Sequence, residues 1–207
     1  MNFNHKYKQM ILSRLNYKKL EFEELDTEKH DYVRIEIGIS LNHIREKIVK
    51  FLSDNYCKND QVKRVQNAYK KAYWWDYYIN GISVDEYMQK HGASDFQIEL
   101  FFRFMASLNG GVEKEDSFFK LAFQWQRAIN IYLMTLFHKF IFIDTCGFPA
   151  MILDLTDLII KSFIQRGGAC IEVAYPHYYP NSYSQELALN ISKKAKVIKI
   201  GEMKIVS

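Results

Sequence analysis

The chain has 207 residues, 48% of them apolar and 25% charged, with a formal net charge of +4. That balance excludes a disordered or collagen-like chain, leaves room for one sizeable core, and falls short of the charge density of a dedicated nucleic-acid binder. Three cysteines, Cys57, Cys146 and Cys170, make neither a CxxC pair nor an even disulfide framework, and no apolar leader follows Met1, so a reducing, cytoplasmic setting is expected.

Residues 1–30 mix Lys, Tyr, Leu and Glu with poor periodicity and read as a separate basic and then acidic segment. Tyr32-Val33-Arg34-Ile35-Glu36-Ile37 alternates apolar with polar, which predicts a half-buried strand with Arg34 and Glu36 on the wetter face and Gly38 closing it. The period then changes: Ile44, Ile48, Phe51 and Leu52 fall on one stripe of a helix ending near Asn55. A second helix is predicted over residues 61–73. Its apolar side would carry Val62, Val65, Tyr69, Ala72 and Tyr73, and its other side is basic.

Ser83 with Glu86, and Ser94 with Gln97, have the spacing of capping boxes, in which side chain and backbone satisfy each other's first-turn groups. The second opens a helix burying Ile98, Phe101, Phe102, Met105 and Leu108 before Asn109-Gly110-Gly111 stops it. Residues 118–136 are apolar on nearly every side and predict a central helix. The wider apolar stretch 118–143 is too interrupted, by Lys120, Gln124, Gln126, Arg127, Asn130, His138 and Lys139, to suit hydrocarbon.

The three prolines all come late, at Pro149, Pro176 and Pro180. From residue 139 the pattern becomes strand, helix, strand, helix, strand, over 139–144, 149–165, 169–175, 184–195 and 196–206. A βαβ crossover puts its strands parallel. The expectation is one mixed α/β domain over residues 1–207: a helix-rich portion, 31–138, packed on a small, partly parallel C-terminal sheet, the βαβαβ portion 139–207.

Ligands in open α/β sheets sit beyond the carboxyl ends of parallel strands. That rule selects Asp144, Cys146 and His177, a thiol, a base and an orienting carboxylate suited to cysteine-dependent hydrolysis or group transfer. A different site is offered by Lys63, Arg64, Lys70 and Lys71, which share one helical face, followed by Trp74, Trp75, Tyr77 and Tyr78. Cations beside aromatic planes suit protein contact or, as an alternative, a nucleic-acid strand. Asp31, Glu36, Asp154, Asp157 and Glu172 make only a weak carboxylate set. Asp154 and Asp157 are better explained as the polar flank of an amphipathic helix, and the scattered histidines give no zinc spacing. No Gly-x-Gly-x-x-Gly or Gly-Lys-Ser/Thr loop is present, so no cofactor is expected.

The order Ile44-Arg45 with Val49, Asp85-Glu86-Tyr87-Met88, Ile98-Glu99-Leu100 and late His177-Tyr178 loosely resembles ovarian-tumour-type cysteine proteases. The resemblance implies a nucleophile in an Asp-Gly-x-Cys turn before the first of these helices, where this sequence has no cysteine before Cys57. The reading favoured by the residues is therefore a non-enzymatic binding or regulatory protein with an aromatic-rich contact surface. Its expected partner is another protein or a second copy, with nucleic acid allowed.

Overall fold

The computed structural model describes residues 29–38, 45–50, 62–64, 81–175 and 181–200. Among the described residues five strands form one sheet: β1 (Tyr32–Ile37), β2 (Val62–Arg64), β3 (Phe140–Asp144), β4 (Ala169–Ala174) and β5 (Ala195–Ile200), in the order β2-β3-β4-β1-β5. Every ladder is parallel. The described helices are α1 (residues 45–50), α2 (Val84–Lys90), α3 (Asp95–Ser107), α4 (Phe123–Phe137), α5 (Ala150–Gln165) and α6 (Asn181–Ile191). The fold is mixed α/β, as the sequence indicates.

Because successive strand residues face opposite ways, each strand feeds two cores. Val33, Ile35, Ile37, Phe140, Phe142, Ile171, Val173 and Ile200 pack with Ile48 and Val49 of α1 on one face. Tyr32, Ile141, Ile143 and Cys170 pack on the other face under the layer of α2 to α6. The strands are short and largely apolar because both faces are covered, which is the usual condition of a parallel sheet.

Three expectations change. The strand at Tyr32–Ile37 is not half-wet: it lies between β4 and β5, and Arg34 and Glu36 are only 1% and 2% exposed. The sheet is not confined to the C-terminal portion, since β1 and β2 join it. Val62–Arg64 is a strand paired with Phe140–Phe142, so the helix expected over 61–73 does not begin there, and Lys63 and Arg64 do not lie on a helical face. This short strand lies at the sheet edge beside the apolar β3, a tertiary pairing that local periodicity does not reveal.

Local signals in the middle of the chain hold. Ser83 accepts from the Glu86 amide while Glu86 reaches back to the Ser83 N–H, and Ser94 and Gln97 do the same for α3. The central helix starts later than expected. A single 3-10 turn, Phe118–Lys120, precedes it, and α4 opens only at Phe123. Gly167 ends α5 at φ 82°, and Gly168 lies so close to the Phe163 ring that a Cβ there would stand 2.3 Å from Cε2.

Candidate functional site at the carboxyl edge

After β1 the chain passes to α1 on one face of the sheet, whereas after β3 and β4 it passes to α5 and α6 on the other. Since β1 and β4 are neighbours, their outgoing chains part at the carboxyl edge, the point where open α/β folds form a ligand crevice. Asp144, Thr145 and Cys146 end β3 at this edge, close to the site drawn from the sequence.

What fills the edge is an ion pair. Arg45 of α1 holds Asp144 with Nη2 2.7 Å from Oδ2 and Nε 3.2 and 3.3 Å from Oδ2 and Oδ1. Burial pulls the guanidinium down, but the bonds and charge of Asp144 outweigh it and raise Arg45 above its ordinary value. Asp144 Oδ1 also accepts from the Cys146 amide at 3.2 Å. From the opposite face, Arg127 of α4 donates to the Asp144 carbonyl, with its guanidinium 4.5 Å above the Phe148 ring. Arg45 and Arg127 thus pin the turn after β3 from both sides.

Cys146 is 6% exposed. Burial, and then the Asp144 carboxylate beside it, push its thiol well above the ordinary range, with Arg45 offsetting only part. The thiolate that nucleophilic catalysis requires is therefore disfavoured near neutral pH. The structure brings Cys146 and Asp144 together; His177 lies outside the described residues, as do Lys70, Lys71, Trp74, Trp75, Tyr77 and Tyr78. Cys170 sits at the start of β4 in the core.

Behind the edge lies a second constellation, which converges inside the protein. Arg34 on β1 faces Glu172 on β4 in register, with Nη1 2.9 Å from Oε2, and its Nε reaches Glu36 Oε1 at 3.1 Å. Tyr32 donates to Glu172 Oε2 and Thr145 to Glu172 Oε1. Asp157 of α5 faces the same group and is not the polar flank expected for it. Burial, and after it the charge of Glu172, lift its carboxyl to about 8. Arg34 Nη2, Glu36 Oε2 and Asp157 Oδ1 are buried without a hydrogen-bond partner among the described residues.

Three of the five carboxylates weighed from the sequence therefore gather, around an arginine. Asp154 is exposed, and Asp31 is at the other end of the sheet, accepting from Ser192. No group of three or more metal-ligating side chains occurs among the described residues. The sequence signal for this cluster is a charged residue inside an otherwise apolar strand, Glu172 in Ala-Cys-Ile-Glu-Val-Ala and Arg34 in Tyr-Val-Arg-Ile. Arg45 has no such signal, because its partner is 99 positions away.

No family model matches the chain, the cysteine-protease resemblance included, and no curated protein matches it. Among solved structures it is similar to one described as "Structure of ATP binding subunit of ABC transporter", with 7% identity, 83% of this chain and 77% of that chain covered, and a TM-score of 0.46. A likeness at that level leaves function to the residues themselves.

Proposed function

We propose that the chain is a non-enzymatic binding or regulatory protein. The observation that carries this reading is that the carboxyl edge of the sheet is occupied from within. The Arg45 guanidinium satisfies the Asp144 carboxylate in a forked geometry. The neighbouring thiol is buried and held in its neutral form. An orienting carboxylate already engaged by a permanent cation and a nucleophile kept protonated are poor catalytic parts.

Contact then falls to the outer surface. Most described aromatics are internal: Tyr87 stacks on Phe118 at 3.5 Å, and Phe101 meets Tyr132 at 5.1 Å. Phe96, 74% exposed at the start of α3, is the described aromatic best placed to meet a partner protein or a second copy.

The test is site-resolved thiol alkylation followed across pH. Cys146 is expected to label slowly, with a midpoint well above neutral. Rapid labelling of Cys146 with a near-neutral midpoint would overturn the binding reading and restore cysteine chemistry with Asp144 and His177.

A further inference from the structure

Past the end of α3 the chain doubles back along the helix. Asn109 takes φ 53°, Gly110 N–H donates to Met105 C=O at 2.9 Å, and a Cβ on Gly110 would stand 2.7 Å from Met105 Cε. The returning segment is then tied to α2, with Asp85 N–H donating to Lys114 C=O at 3.2 Å and Val84 N–H to Asp116 C=O at 2.9 Å. Between this segment and α3 lies a groove of about 400 Å³. Phe102, Met105 and Val112 supply its apolar lining, and Glu99, Glu113 and Glu115 its carboxylates.

The lining sets two cations against those three carboxylates. Lys114 Nζ lies 2.7 Å from Glu99 Oε2 and Arg103 Nε 3.8 Å from Glu99 Oε1, so Glu99 is already answered from within. Glu113 and Glu115 are exposed and make no ion pair among the described residues. The bond to Glu99, and the charges of Glu99, Glu115 and Asp85, raise Lys114 above its ordinary value: one ammonium faces three carboxylates. Asp85 and Asp116 accept from the Glu86 and Glu113 amides, bonds that leave their charge in place. With Lys90 and Lys120 included, residues 81–120 hold seven carboxylates and four cations, a net −3 in a chain whose total is +4. Negative charge therefore remains after every internal pair is made. Lys114 also shows how the groove seats a cation, since its ammonium bonds Glu99 while standing 5.8 Å from the Phe102 ring centre.

We infer that this groove docks a basic, apolar-rich segment of a partner protein, its lysine or arginine heads at Glu113 and Glu115 and its apolar side chains over Phe102 and Val112. Lysine and arginine suit such a place because their alkyl stems cover apolar surface and their heads favour an aromatic face beside a carboxylate. Phe96 precedes Glu99 by three positions and Arg103 by seven, so it shares their stripe of α3 and extends the apolar surface at one end. A two-fold pair of copies is the weaker fit, since an isologous contact would set acidic groove against acidic groove. The inference deepens the binding reading by naming a partner class and rests on it; peptide binding and Cys146 labelling are separate measurements, so either can fail alone.

The experiment is fluorescence anisotropy of the full chain over a salt series with three short labelled peptides, alternating Lys with Leu, Lys with Ser, and Glu with Leu. The Lys-Leu peptide is expected to bind, less tightly as salt rises. The Lys-Ser peptide is expected to bind several-fold more weakly, and the Glu-Leu peptide not at all. The combined Glu113→Gln and Glu115→Gln variant is expected to lose affinity on the order of threefold per carboxylate. Lys114→Gln is expected to tighten binding several-fold, because it releases Glu99 to the peptide, an effect that a merely structural lysine would not give. An unchanged unfolding curve for each variant separates lost docking from lost fold. Absence of binding at low ionic strength, equal binding of the Glu-Leu peptide, unchanged affinity in the double glutamate variant, or no tightening in Lys114→Gln would overturn the inference. So would sedimentation showing that the chain associates with itself through these glutamates and leaves the peptide free.

Discussion

The two faces of β1 and β4 are equally dry and differently built. On the α1 side, Val33, Ile35, Ile171 and Val173 belong to a cluster of buried apolar side chains. On the α5 side, one residue over in the same strands, Tyr32, Arg34, Glu36 and Glu172 form a hydrogen-bonded ionic group at 0 to 2% exposure. The apolar face gains stability from every group removed from water. The ionic face gains little net stability, because desolvating its charges offsets most of their attraction, yet each member becomes expensive to remove once the others are buried. What the ionic face adds is register: Arg34 meets Glu172 only when β1 and β4 are paired as observed.

That contrast breaks most visibly at Glu172. Glu172→Ala leaves Arg34 Nη1 and the Tyr32 hydroxyl without their acceptor, leaves Thr145 only its longer bond to Val173 C=O, and is expected to cost about 3–5 kcal/mol in urea unfolding. The matched change on the apolar face, Ile35→Val, is expected to cost about 1 kcal/mol. Equal losses would mean that the two faces are energetically alike.

A smaller effect is sharper because it has a sign in pH. The Asp157 carboxyl is held near 8 in the folded chain, against an ordinary value of 3.8. Below the unfolded value both states are protonated and Asp157 has no effect. As pH rises from about 4 to about 8, the unfolded chain releases the proton first, so folding loses stability, on the order of a few kcal/mol in all. Facing Asp157 are Tyr32 and Arg34 of β1, Cys170 and Glu172 of β4, and Asp154 on its own helix. Asp157→Asn is expected to remove this slope, so that the variant exceeds the parent in stability at the alkaline end and converges with it in acid. Parallel urea midpoints for the two proteins would sink the assignment.

The smallest effect lies at the edge. The Arg45–Asp144 pair is partly open to solvent, at 26% and 11% side-chain exposure. Arg45→Ala is accordingly expected to cost only about 1 kcal/mol. It is also expected to slow Cys146 alkylation near neutral pH, since it removes the cation that offsets part of the Asp144 charge on that thiol. A faster labelling rate would show that loosening of the turn outweighs the lost charge.

Much of the fold was legible in the residues. The capping serines Ser83 and Ser94, Pro149 at the head of α5 and Gly167 past its end act through bonds within a few positions, so their meaning travels with the local sequence. Part of the site was legible as well, because Asp144 and Cys146 close an apolar run that reads as a strand, and the carboxyl-edge rule then locates them. Arg34, Glu36, Arg45 and Asp157 were not readable in this way. The same alternation in Tyr32–Ile37 describes a strand with one wet face and a strand whose second face meets a buried partner, and only the partner distinguishes them.

By itself, then, the sequence determined which segments become strands and helices in the C-terminal third, and that their crossovers make them parallel, because period and chain handedness are local properties. The tertiary structure alone decided that β1 lies between β4 and β5, that Val62–Arg64 extends the sheet, and that Arg34 meets Glu172 138 positions away. Those outcomes follow from pairing between segments distant in the chain, where burial and charge are settled by what arrives from elsewhere.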